Sequence, residues 1–203
     1  RVAMLAYGRT MGGSRAFEAF RAGLRDLGYV EGRSLSLVER WSDANNEEAE
    51  RLAAELVRAK PDVIVTLSVA VFQVLKAGAT MPVVFGFSGD PVAAKLIDSF
   101  AHPGRNLTGM SYLSVDLVGK RMELLREMIP RLKRVAIIAN PQHPGQQAEL
   151  GASQDAAKKL GIALEYLEAR TQTDVDAALG SIAKSRGEAI LVFPDSRMMS
   201  FSD

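Results

Sequence analysis

The sequence predicts an α/β protein of two Rossmann-like lobes, each on a parallel sheet, the second lobe incomplete. Three observations lead there. Apolar runs of strand length alternate with stretches of helical periodicity along the whole chain. The first run, Val2–Tyr7, is continuous, as strands buried on both faces are. A turn-rich stretch, His102–Gly109, interrupts the series once, and the alternation then restarts. Alternating β and α units imply parallel sheets joined by right-handed crossovers.

The elements follow in order. After Val2–Tyr7, Ser14 reads as an N-cap, with Phe17, Phe20, Leu24 and Leu27 at helical spacing and Gly28 as the C-terminal glycine. Leu35–Trp41 is a second strand. Glu47–Lys60 carries Ala49, Leu52, Ala53, Leu56 and Val57 on one helical face and stops at Pro61. Val63–Leu67 is the third strand, Val69–Ala79 a helix with Ser68 as its cap, and Val83–Phe87 the fourth strand. A weaker element covers Val92–Phe100. Beyond the turn-rich stretch come a helix at Leu117–Met128, a strand at Arg134–Ala139, a helix at Gln146–Leu160 closed by Gly161, and a strand at Ala163–Glu168. Thr173-x-x-Asp176 resembles a capping box opening a helix to Ser185, and Ala189–Phe193 is the last strand. The lobe boundary falls near Tyr112–Ser114, giving lobes at 1–113 and 114–203. The first holds four or five strands and the second three, so the natural protein is expected to continue beyond Asp203. A chain opening at Arg1 reads as a mature or trimmed one.

Composition excludes several function classes. With 203 residues, 47% of them hydrophobic, the chain has ample core. It carries 25 basic and 24 acidic residues, a net charge of +1 without a basic stripe, so no nucleic-acid partner is expected. There are no cysteines, which removes disulfides, thiolate nucleophiles and Cys-based metal sites. The two histidines, His102 and His143, each precede a proline in a loop, lack an acid partner in the sequence and read as solvent-facing; no metal and no cofactor is expected. No apolar run approaches the roughly 20 residues that span a bilayer.

In open parallel sheets, ligands bind beyond the carboxyl ends of the strands. The residues there are Tyr7, Gly8 and Arg9; Ser68; Phe87, Ser88, Gly89 and Asp90; Asn140 and Pro141; and Asp195 and Ser196. Ser68 reads either as a plain N-cap or as the start of a helix whose free N–H groups receive a carboxylate. Ser88-Gly89-Asp90-Pro91 is either turn chemistry or a donor to a ligand oxygen. Asp195 accepts from a ligand amine or caps a turn. Tyr7, Phe87 and Tyr112 either stack on a ligand or pack, and Trp41 packs.

Motifs for catalysis are weak. Gly86-Phe-Ser88-Gly89-Asp90 misses the G-x-S-x-G elbow at its last position. No phosphate loop of the G-x-x-x-x-G-K-[ST] kind occurs. Gly8-x-x-x-Gly12-Gly13 after the first strand, with Glu39 near the end of the second, leaves a nucleotide-dependent Rossmann enzyme as a rival on spacing alone. Asn106-Leu-Thr108 matches a glycosylation sequon and is read as chance. The effector-binding domain of a regulator is a second rival.

At several of these residues the sequence resembles a family of ABC-transporter substrate-binding proteins that includes tryptophan- and tyrosine-type receptors. The matching phrases are Gly23-Leu-Arg-Asp-Leu-Gly28-Tyr-Val-Glu-Gly32, Glu39-Arg-Trp41, Pro82-Val-Val-Phe85, Asp90-Pro91-Val92 and Pro103–Gly109. Further along come Gly119-Lys120-Arg121-x-Glu123-Leu124-Leu125, Asn140-Pro141 and Pro194-Asp195. The resemblance implies a type I periplasmic-binding-protein fold whose lobes close over a small ligand by hinge motion. It implies an amino acid or related zwitterion as ligand, a membrane permease as partner, no catalysis, and a periplasmic or lipid-anchored extracytoplasmic location. By position it implies Ser68 and Ser88 as contacts from the first lobe, with a carboxylate at the helix after Ser68. From the second lobe it implies Asn140 and Asp195, with Asp195 on the ligand ammonium.

Overall fold

A computed structural model describes residues 1–8, 15–43, 45–143, 145–185, 187–195 and 198. The readings placed on Arg9, Gly12, Gly13, Ser14 and Ser196 lie outside these. The chain divides into two compact units, Arg1–Phe87 with Lys95–Met110, and Ser88–Ala94 with Ser111–Asp203.

The first unit holds β1 (Val2–Ala6), α1 (Arg15–Asp26), β2 (Leu37–Trp41), α2 (Asn46–Arg58), β3 (Val63–Leu67), α3 (Ala70–Lys76) and β4 (Val83–Phe87), with β5 (Leu107–Ser111) on its sheet edge. The sheet order is β2-β1-β3-β4-β5, and β1 runs parallel to both β2 and β3. The order reverses at β1, so its switch point lies between β1 and β3. Central β1 is buried along Ala3–Ala6, as its continuous apolar run requires. Helix α2 buries Ala49, Leu52, Ala53 and Leu56, at i, i+3, i+4 and i+7. Its N-cap is Asn45, whose side chain accepts from the Glu48 N–H at 3.1 Å. Gly28, at φ +85°, closes α1 as expected: its N–H bonds the Arg25 carbonyl and that of Tyr29 bonds Leu24, the paired bonds of a Schellman end. Trp41 packs edge-on against Phe17, as expected of a packing residue.

Two expectations fail here. The turn-rich stretch contains β5, because Asn106 fastens it to the sheet. Its amide donates to the carbonyls of Ala79 and Met81, and its own carbonyl accepts from Val83 N–H. Gly109 then lies against Phe85, where an added Cβ would stand 2.1 Å from the Phe85 carbonyl oxygen, so only glycine allows that approach. The weak element at 92–100 forms turns rather than a helix or strand, although Leu96 and Ile97 are buried in it.

The second unit holds α4 (Ser114–Met128), β6 (Arg134–Ala139), α5 (Gln146–Leu160), β7 (Ala163–Glu168), α6 (Gln172–Ser185) and β8 (Ala189–Val192). Its sheet order is β7-β6-β8, all parallel. Along β6, Val135, Ile137 and Ala139 join one core with α4 and α5 residues such as Val118, Met122 and Ala157. The alternate residues Ala136 and Ile138 join a second core with Ala178 and Ile182 of α6. The strand is apolar throughout because helices cover both its faces. The capping box of α6 is Thr171-x-x-Asp174, two residues before the expected pair. Thr171 Oγ1 accepts from Asp174 N–H, and Asp174 accepts in return from the N–H groups of Arg170 and Thr171. Among the described residues no helix is long and apolar enough to cross a membrane.

Candidate functional site

The switch point of the three-stranded sheet lies between β6 and β8, and the chain leaves those strands at Asn140 and Asp195. Both side chains are buried, and they meet: Asn140 Nδ2 donates to Asp195 Oδ2 at 2.8 Å. The other end of the Asn140 amide, Oδ1, accepts from Gln142 N–H at 3.0 Å, which sets the turn through Pro141. One Asp195 oxygen is thus held by a neutral donor, so the carboxylate charge is not cancelled within this pair.

The same turn delivers His143, which is 5% exposed rather than solvent-facing as expected. The turn wraps back, with His143 N–H on the Asn140 carbonyl and Gln146 N–H on the His143 carbonyl, so the ring points inward. Its Nδ1 accepts from Gly145 N–H at 3.2 Å. That leaves the ring proton on Nε2, which donates to Ser88 Oγ at 2.6 Å. Burial holds the imidazole below its ordinary range, against the opposing pull of the Asp195 charge.

Glu149, in the first turn of α5, completes the cluster. It is wholly buried, and neither carboxyl oxygen has a hydrogen-bond partner among the described residues. Its Oε1 lies 3.9 Å from His143 Nδ1. Burial pushes its carboxyl up to about 7, Arg121 of α4 pulls it down, and Asp195 pushes it up further. Gly145 makes the assembly possible, since a Cβ there would stand 2.9 Å from the His143 ring, 3.1 Å from Glu149 and 3.2 Å from Gly89.

The other strand-end residues go elsewhere. Tyr7 donates its hydroxyl to Asn46 Oδ1 at 2.8 Å. Ser68 is not the cap of α3: that position is Val69, without a side-chain cap bond. Ser68 takes a left-handed φ of 60° and gives its N–H to the Gly86 carbonyl, which delays the helix to Ala70. Phe87 is buried edge-on against Phe72, with centroids 5.8 Å apart. Asp90 is exposed and accepts from the N–H groups of Val92 and Ala93, which is turn chemistry. Tyr112 and His102 are exposed. Glu39, the ribose acid of the nucleotide reading, is paired with Arg21 of α1.

Sequence reasoning missed His143 and Glu149. One signal was present: the buried face of α5 runs Gln146, Glu149, Ser153, Ala157, so helical spacing puts an acid in the inward stripe.

Two parallel α/β units, one with buried polar side chains gathered at its switch point, make up the class of open parallel α/β fold in which ligands are bound beyond the strand ends. The chain belongs to the family of ABC transporter substrate binding proteins, whose family model matches residues 10–201. A tyrosine-binding protein of Clostridioides difficile (strain R20291) is 27% identical over 170 residues, covering 83% of this chain and 48% of that protein. A conserved domain protein of Vibrio cholerae is 30% identical with a TM-score of 0.80, covering 93% of this chain and 63% of that one. An ABC domain from Streptococcus pneumonia, crystallised with L-Trp, is 18% identical with a TM-score of 0.82, over 98% and 67% of the two chains. This chain therefore spans about half the length of its curated relative and about two thirds of these solved ones.

Proposed function

We propose that this chain is the ligand-capturing part of an ABC-transporter receptor, and that it takes an amino acid by its ammonium at Asp195. The observation that carries the reading is the buried Asn140–Asp195 pair at the β6/β8 switch point. Asn140 orients the carboxylate without neutralising it, which leaves Asp195 ready for a cation. Ser88 offers a hydroxyl oxygen and its proton to a polar group of the same ligand. The tyrosine-binding relative supports an amino acid as the ligand class. A membrane permease is the partner and the location is extracytoplasmic, since receptors of this family work there.

Ser88, His143 and Glu149 look superficially like a hydrolase triad, and the hydrogen bonds argue against that use. A general base must accept the serine proton at Nε2. Here Nδ1 is occupied by the Gly145 N–H, so Nε2 already bears the proton. The nucleotide reading is disfavoured by the Arg21–Glu39 pair.

The test is calorimetric titration of the full-length protein with L-tyrosine, L-tryptophan and the other common amino acids. At least one should bind. Asp195→Ala should then weaken it by about 1.5–3 kcal/mol, roughly 10- to 150-fold, as a charge-assisted bond is lost. Unchanged affinity would remove Asp195 from the site, and failure of every amino acid to bind would sink the ligand class.

A further inference from the structure

We propose that capture of a ligand ammonium at Asp195 expels a proton from the buried Glu149, so that this receptor exchanges one cation for another. The inference rests on the amino-acid reading above and adds a linkage to it.

The environment of Glu149 makes the case. Three charged or titratable groups act on it, and other polar groups on the elements around α5 are taken up by neighbours of its own cluster. Helix α4 brings Arg121; the turn between β6 and α5 brings His143; the chain beyond β8 brings Asp195. Strand β7 brings Tyr166, whose hydroxyl is taken up by Gln146 Nε2 at 2.9 Å. The segment at 88–89 brings the Ser88 hydroxyl, already bonded to His143, and Gly89. The nearest polar atom on the ring side, His143 Nδ1, is an acceptor occupied by Gly145 N–H. An anionic Glu149 is favoured by Arg121 but opposed by burial and by the Asp195 carboxylate, and neither of its oxygens has a hydrogen-bond partner among the described residues. A buried acid so placed keeps its proton near neutrality.

An ammonium bound at Asp195 reverses these conditions. It cancels the negative charge that opposes ionisation of Glu149, and adds a positive one to the cluster. The balance is simple: the O–H bond of the Glu149 carboxyl breaks, its electron pair stays on oxygen, and the proton passes to the buffer. No other bond forms or breaks.

The experiment is calorimetry of the full-length protein with L-tyrosine or L-tryptophan, whichever binds, in buffers of different ionisation enthalpy at pH 6 and pH 7. With the carboxyl at about 7, release of about half a proton per ligand is expected at pH 7, rising toward one at pH 6. Affinity should climb with pH below 7 by up to about tenfold per unit. In Glu149→Gln the buffer dependence should vanish and the affinity should flatten with pH. Wild-type heats that ignore the buffer, with the ligand bound, overturn the linkage and leave the receptor reading standing. Heats that depend on buffer equally in Glu149→Gln assign the proton to another group and overturn it as well. If neither amino acid binds, the receptor reading fails first and the linkage with it.

Discussion

The strand ends of the two sheets use similar residues in opposite ways. In the five-stranded sheet Tyr7 is taken up by Asn46, the Ser68 N–H by Gly86 and the Phe87 ring by Phe72, all within the first unit; Ser88, just past β4, belongs to the second unit. In the three-stranded sheet the groups meet one another. Asn140 reaches Asp195, His143 reaches Ser88, and Glu149 is left buried beside them. A convergent cluster with one carboxylate uncancelled and another deprived of donors is costly to the fold, and such costs concentrate where a ligand is handled.

The comparison can be broken most forcefully at Phe87. If the ring is purely packing, Phe87→Ala should cost about 3–5 kcal/mol in urea unfolding, as for a fully buried phenylalanine. A loss below about 1 kcal/mol would move Phe87 out of the core role.

Next in size is the pH dependence from Glu149. Its carboxyl is raised in the folded state from 4.5 to about 7, so the folded protein binds more protons in that window. The stability it contributes is fully present below about 4.5 and is lost as pH rises through about 7, amounting to about 3 kcal/mol. His143 works oppositely: its lowered value makes the folded state resist protonation, so it costs stability as pH falls below 6.5. The difference between wild type and Glu149→Gln, followed by denaturation from pH 4.5 to 8, isolates the acid. A constant difference across that range would contradict the described burial.

A smaller effect is expected at Asn140. Asn140→Ala strands the buried Asp195 and frees the Gln142 N–H, for a loss of about 1–3 kcal/mol in chemical denaturation. Smallest is Tyr7→Phe, which removes one partly exposed hydrogen bond and should shift stability by no more than about 1 kcal/mol. A large fall in ligand affinity in that variant would show the first unit's edge is not locally satisfied after all.

The parallel α/β class was legible because strands β1 and β6, covered on both faces, must be apolar throughout, and because Gly28 and Gly161 punctuate helices through backbone geometry alone. The strand at 107–111 was not legible, since Asn106 pins it through contacts more than 20 residues away in sequence. Asn140 and Asp195 were legible as strand-end residues, but their mutual bond spans 55 residues and needed the β6/β8 pairing to be seen. His143 was misread because a histidine before a proline in a loop carries no local mark of burial. Its inward turn is set by backbone bonds to Asn140 and Gln146. Glu149 was hidden by its type: acids near a helix start ordinarily face water and complement the dipole.

Gly145 has a consequence for how this protein can change over generations. The space beside its α-carbon is already claimed by three parties, the 143 ring, the 149 acid and the 89 backbone. A larger residue at 145 is admissible only after one of those parties has shrunk or moved. The four positions should therefore drift as a block, and relatives that have altered the acid should be the ones free to abandon the glycine.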